Sequence, residues 1–195
     1  MATRRRKYEF KPDPKGTNFL KKLYMTRLQR LQLFKWGSYA ALCVLLLVIQ
    51  DVMLSRVRLF GATTDLAACI IFLIAIYEGT ETGSLFALIA STIYWFSGSA
   101  PGTYVIAIMT GLSVGINLFR QVFWRRSFGS TALCAGAAII AYEMILFIVG
   151  VFLGLTIWAR ARVFLVTGVY SSLVMLALYP LVRAIAKIGG NTWKE

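Results

Sequence analysis

Long apolar blocks separated by short polar ones dominate the chain. Six blocks stand out, at about 36–55, 59–77, 84–100, 101–120, 129–158 and 163–183. A helix needs about 20 apolar residues to cross a hydrocarbon core about 30 Å thick. The pattern therefore predicts an all-α, polytopic integral membrane protein with six transmembrane helices. The third apolar run proper, Ser84 to Phe96, rises only about 20 Å. The pair 59–100 is accordingly either two short, tilted spans or a re-entrant hairpin, and the two alternatives leave the rest of the topology unchanged. Two spans are preferred, because a hairpin tip would bury Glu78 and Glu81 at a few kcal/mol each. The fifth block, Gly129 to Trp158, would make about 45 Å of helix, so it is expected to tilt, bend or project.

Outside the blocks the chain divides into a basic tail (1–35), a membrane domain (36–187) and a short C-terminal tail (188–195). In the first tail, "TNFLKKLYMTRLQRLQLFK" places Leu20, Leu23, Tyr24, Leu28 and Leu31 on one helical face, with basic residues over much of the rest. That predicts an amphipathic interfacial helix on a bilayer containing anionic lipids. Nucleic-acid binding is the disfavoured alternative, because the cluster abuts a span. With the N-terminus inside, cytoplasmic segments hold 17 Lys and Arg against 4 outside. This predicts both termini in the cytoplasm. Trp36 and Trp124 then fall near the inner interface, and Trp95 and Trp158 near the outer one.

Composition narrows the chemistry. The chain is 58% hydrophobic, against about 45–50% in soluble domains, and carries a formal net charge of +13 with no histidine. Histidine triads and imidazole metal sites are excluded. Cys43, Cys69 and Cys134 lie in apolar blocks without CxxC spacing, and are read as buried hydrophobes. "LAAC" (66–69) follows "ATTD" rather than a hydrophobic run, so it is not a lipoprotein signal. No enzyme, cofactor or metal site is expected.

The remaining motifs are weighed one by one. "IYEGTETGS" (76–84) is read as a solvated turn, with Gly79 and Gly83 supplying flexibility and Glu78 and Glu81 in water. "WFSGSAPG" (95–102) lacks the lysine of a P-loop and is read as a tight turn with Pro101 at a helix start. Ala107, Gly111 and Gly115 lie four apart, and Gly150 and Gly154 repeat the spacing. Small residues at that spacing let membrane helices approach closely; internal packing is the first expectation and a partner helix the second. Asp51, Asp65 and Glu143 are the acids at membrane depth. Glu143 is the central one, with no basic partner in the spans. It is expected to be a neutral carboxyl sharing hydrogen bonds with Asn117, Ser91, Thr92 or Tyr94, because a bare charge there costs about 2.5–3.5 kcal/mol. A proton or cation pathway is the functional alternative.

The stretch "LLLVIQDVMLSRVRLFGATTDLAACIIFLIAIYEGTETG", the small-residue third helix and "SGSAPG" leading into a fourth resemble the MreD family of rod shape-determining membrane proteins. So does "FRQVFWRRSFGSTALCAGAAIIAYEM". Thr64 stands where the family usually has proline before Asp-Leu, and Tyr94 or Trp95 falls where its third helix often carries an Asp. The resemblance implies a non-enzymatic component of bacterial cell elongation in the plasma membrane. It would scaffold or regulate peptidoglycan synthesis with an MreC-like protein, RodA, a class B penicillin-binding protein and the MreB filament. It also implies a helical arrangement similar to the substrate-binding subunits of energy-coupling-factor vitamin transporters, and such a subunit is the alternative reading. Glu143, Asp51, Asp65, Ala107, Gly111, Gly115, Gly150 and Gly154 are the candidate packing or partner-contact residues.

Overall fold

The computed structural model describes residues 27–52, 62–123 and 128–188. Among them six α-helices follow in order: α1 (Arg27–Val52), α2 (Leu66–Glu78), α3 (Thr80–Phe96), α4 (Tyr104–Phe123), α5 (Phe128–Phe152) and α6 (Ala161–Ala186). A 3-10 turn, Trp158–Arg160, introduces α6. Three stretches, Gln29–Val52, Phe128–Phe152 and Trp158–Ala186, are long and apolar enough to cross a membrane.

α2 is the axis of the bundle. Its sequence, LAACIIFLIAIYE, is apolar on every side, as suits a helix with no face to water. Every residue from Ala67 to Ile76 has no accessible surface. The other helices pack around it and turn large apolar side chains outward, including Leu45 and Val48 on α1, Leu85 and Ile89 on α3, Leu133 and Ile148 on α5, and Leu173 and Leu181 on α6. This is the distribution expected when the outer solvent is lipid. Cys43, Cys69 and Cys134 are free and buried, as read from the sequence.

Both ends of α2 are tied down. At its start the Asp65 side chain accepts from Ala68 N at 3.0 Å, an N-cap bond, and the Gln50 side chain of α1 accepts from Ala67 N at 2.9 Å. Ser171 of α6 accepts from Asp65 N at 3.0 Å. At its end α4 satisfies the last carbonyls. Asn117 donates to Ala75 O at 3.0 Å and Arg120 to Ile76 O at 2.5 Å, placing a cation at the negative end of the helix dipole.

Several expectations change. The α2–α3 junction is a sharp turn at Gly79, whose φ of 88° suits glycine. Gly83 is no flexible turn residue: it lies within α3, where a Cβ would stand 2.2 Å from Ala75 O. That contact sets the close approach of the hairpin. Thirteen residues of α2 rise about 20 Å, shorter than the expected 59–77.

The fifth block does not form one long helix. α5 stops at Phe152, where Leu155 N donates to Gly150 O at 2.8 Å and Gly154 N to Val151 O at 3.0 Å. With Gly154 at φ 70°, this is a Schellman terminus. Pro101 lies in the turn before α4 rather than at its first residue. Residues 27–35 are the opening turns of α1, and the rest of the expected interfacial helix, 17–26, lies outside the described residues.

Candidate functional site

Two polar clusters mark the two ends of the buried helix. At the α2 C-terminus, Lys35 of α1 reaches Glu78, with Nζ 2.6 Å from Oε1 and donating to Oε2 at 2.8 Å. The Tyr39 hydroxyl donates to Oε1 at 2.8 Å. Both partners of the pair are buried, and Trp36, Tyr39 and Phe86 stack around them at centroid distances of 5.9–6.1 Å. Glu78 is therefore not a solvated turn residue, whereas Glu81 is exposed as expected. A buried ion pair with a third donor is geometrically satisfied and inert.

The second cluster lines an open cavity of about 280 Å³ at the α2 N-terminus. Five helices bring residues to it: Gln50 from the end of α1, Asp65 at the start of α2, Tyr94 from the last turn of α3, Tyr142 and Glu143 from α5, and Thr167 from the start of α6. Asp65 is well supplied with donors, since besides its cap bond the Tyr94 hydroxyl donates to its Oδ2 at 3.3 Å. Tyr94 thereby ties the end of α3 to the start of α2.

Glu143 differs. It is 4% exposed, and among the described residues it accepts no hydrogen bond. The partners expected from the sequence are engaged elsewhere. Asn117 donates to Ala75 O and Ser113 O, Ser91 and Thr92 bond back to Leu88 O, and Tyr94 serves Asp65. Gly168 of α6 packs over this turn of α5, where a Cβ would lie 3.3 Å from Ile140 Cα and 3.5 Å from Glu143 Cβ and Cγ. The sequence offered Glu143 as the lone central acid; the fold puts Asp65 in the same cavity. Two further hydroxyls of the lining, Tyr142 OH and Thr64 Oγ1, are buried without a partner.

The other candidates are not brought into this site. Asp51 is exposed on the last turn of α1 and accepts a hydrogen bond from Ser99. Ala107, Gly111 and Gly115 point away from the bundle, and a Cβ added at Gly111 or Gly115 would meet nothing within 4 Å. They do not pack internally, which corrects the first expectation for that spacing. Gly150 is buried and contacts Thr156, while Gly154 is an exposed helix terminator. No group of three or more metal-ligating side chains occurs among the described residues.

Sequence reasoning missed the Lys35–Glu78 pair and the cavity. Lys35 was one of 11 basic residues in the first 35, and its partner lies 43 positions on. The signal for the cavity was the coincidence of Gln50, Asp65 and Tyr94 at the same end of alternating blocks, which a six-block topology implies. No protein-family model, curated protein or solved structure matches the chain.

Proposed function

We propose that the chain is a multi-pass protein of the bacterial cytoplasmic membrane, with six spans and both termini inside. In this reading it is an MreD-like, non-enzymatic component of the cell-elongation machinery. The resemblance of 45–183 to that family is the starting point. The observation that carries the reading is the outward face of α4, where Ala107, Gly111 and Gly115 leave open space. A partner helix, such as the membrane anchor of an MreC-like protein, can approach a small-residue face closely. Orientation is supported by charge: Arg120, Arg183 and Lys187 lie toward the Glu78 end of the bundle, which becomes the cytoplasmic end.

Depletion followed by microscopy tests the reading. Rod-shaped cells becoming spheres, with an MreC-like protein co-purifying, is the expected result; unchanged shape overturns it. A second reading, the substrate-binding membrane subunit of an energy-coupling-factor transporter, is favoured by the cavity between Asp65 and Glu143. It expects normal shape with impaired vitamin uptake in the same depleted cells.

A further inference from the structure

We infer that the cavity at the α2 N-terminus binds a compact organic ammonium compound, an inference that rests on the ligand-binding reading of this site and not on the elongation reading. Three observations converge. First, the cavity holds two carboxyls, Asp65 and Glu143, and no lysine or arginine lines it. A carboxyl of this pair has no basic side chain in the cavity to balance it when ionised, so a bound cation is the partner that would favour its charged form. Second, its hydrogen-bonding capacity is unspent: Glu143 accepts no bond among the described residues, and the Tyr142 and Thr64 hydroxyls have no partner. Buried polar groups left in this state are costly unless something satisfies them. Third, Tyr94, Tyr142 and Phe164 line the same space, and aromatic faces attract ammonium groups.

Size selects among cations. The volume of about 280 Å³ is far larger than a bare metal ion needs and near the lower end of small-molecule pockets, about 300–1,000 Å³. It also exceeds what a single lysine ammonium from a partner protein would fill. Asp65 is anchored by its cap bond and by Tyr94, so its carboxyl is held in a fixed position. Glu143 is the group free to take a new donor.

The test is calorimetric titration of the full-length protein in nanodiscs with choline and ethanolamine, and with 3,3-dimethyl-1-butanol as the neutral isostere of choline. Saturable binding of an ammonium probe is expected, with no binding of the isostere. Glu143→Gln keeps an acceptor oxygen and removes the ionisable carboxyl, and should weaken binding about tenfold or more. Thr167→Phe, which fills the cavity from α6, should abolish it and serves as the second variant if the first fails to fold. Equal binding of the neutral isostere overturns the ammonium assignment while leaving a ligand-binding cavity. Absence of saturable ammonium binding overturns the inference, as does a Glu143→Gln variant that binds no probe differently but loses a co-purifying protein. Normal vitamin uptake after depletion removes the transporter reading without touching the binding result.

Discussion

Lys35 and Glu78 stand 43 positions apart in the chain and meet with Nζ 2.6 Å from Oε1, both side chains less than a tenth exposed. The pair fastens α1 to the end of α2. Removing one partner strands a buried charge, a loss of about 3–5 kcal/mol. Lys35→Met or Glu78→Leu alone should therefore lower the melting temperature sharply. The combined variant Lys35→Met with Glu78→Leu should recover most of it, since apolar replacement of both partners is often neutral. A double-mutant cycle reads the coupling directly, and additive losses would show the pair to be idle.

Two glycines separate close approach from open surface. Gly83→Ala forces a Cβ to within 2.2 Å of Ala75 O, and backbone cannot move aside cheaply. A loss of at least about 4 kcal/mol, or no folded protein, is expected. Gly111→Ala meets nothing and should gain up to about 1 kcal/mol from helix propensity. Melting curves of the two purified variants decide it.

The exposed face of α4 makes the partner reading checkable. Enlarging Gly111 and Gly115 to leucine should not lower the melting temperature of the isolated protein, because the added atoms find open space and leucine favours the helix more than glycine. Capture of an MreC-like partner should fall steeply, since close helix approach is lost. Intact capture at intact stability removes α4 as the docking face.

At the other end of α2, Asp65 combines a cap with a cross-link to α3. Asparagine retains a capping oxygen and alanine does not, so Asp65→Ala should cost about 1 kcal/mol more than Asp65→Asn. Thermal unfolding of both variants measures the difference. Equal losses would assign Asp65 no capping role.

Glu143 should behave in the opposite sense. It is buried and accepts no hydrogen bond among the described residues, so Glu143→Leu removes a desolvated acid and leaves no orphaned partner. Stability should rise by about 0.5–2 kcal/mol, the usual gain when a functional compromise is relieved. A fall in melting temperature would instead assign Glu143 to packing.

These contrasts also show which parts of the architecture can be read without coordinates. The unbroken apolar run after Asp65 identifies a helix surrounded by apolar groups, because a helix facing water would show a polar stripe; that protein rather than lipid surrounds it is read only from the packing. The Asp in Thr-Asp-Leu marks its start, as capping chemistry requires. Lys35 was illegible, because a lysine within a basic run looks the same whether it meets water or a distant carboxylate. Gly154 was ambiguous for another reason: the four-residue spacing to Gly150 serves both helix contact and helix termination, and only the φ of 70° distinguishes them. The neighbourhood of Glu143 depends on how α2, α5 and α6 rotate about their axes. No local pattern encodes that rotation.

α2 has one consequence for how the protein meets a bilayer. Its 13 residues cover about 20 Å, too little to cross a core of about 30 Å unaided. Because neighbouring helices clad it on every side, it makes no demand on membrane thickness, and hydrophobic mismatch falls on the outer helices alone. The span of the interior is thus fixed by protein contacts and that of the rim by lipid, so the two can change independently when the membrane thins or thickens.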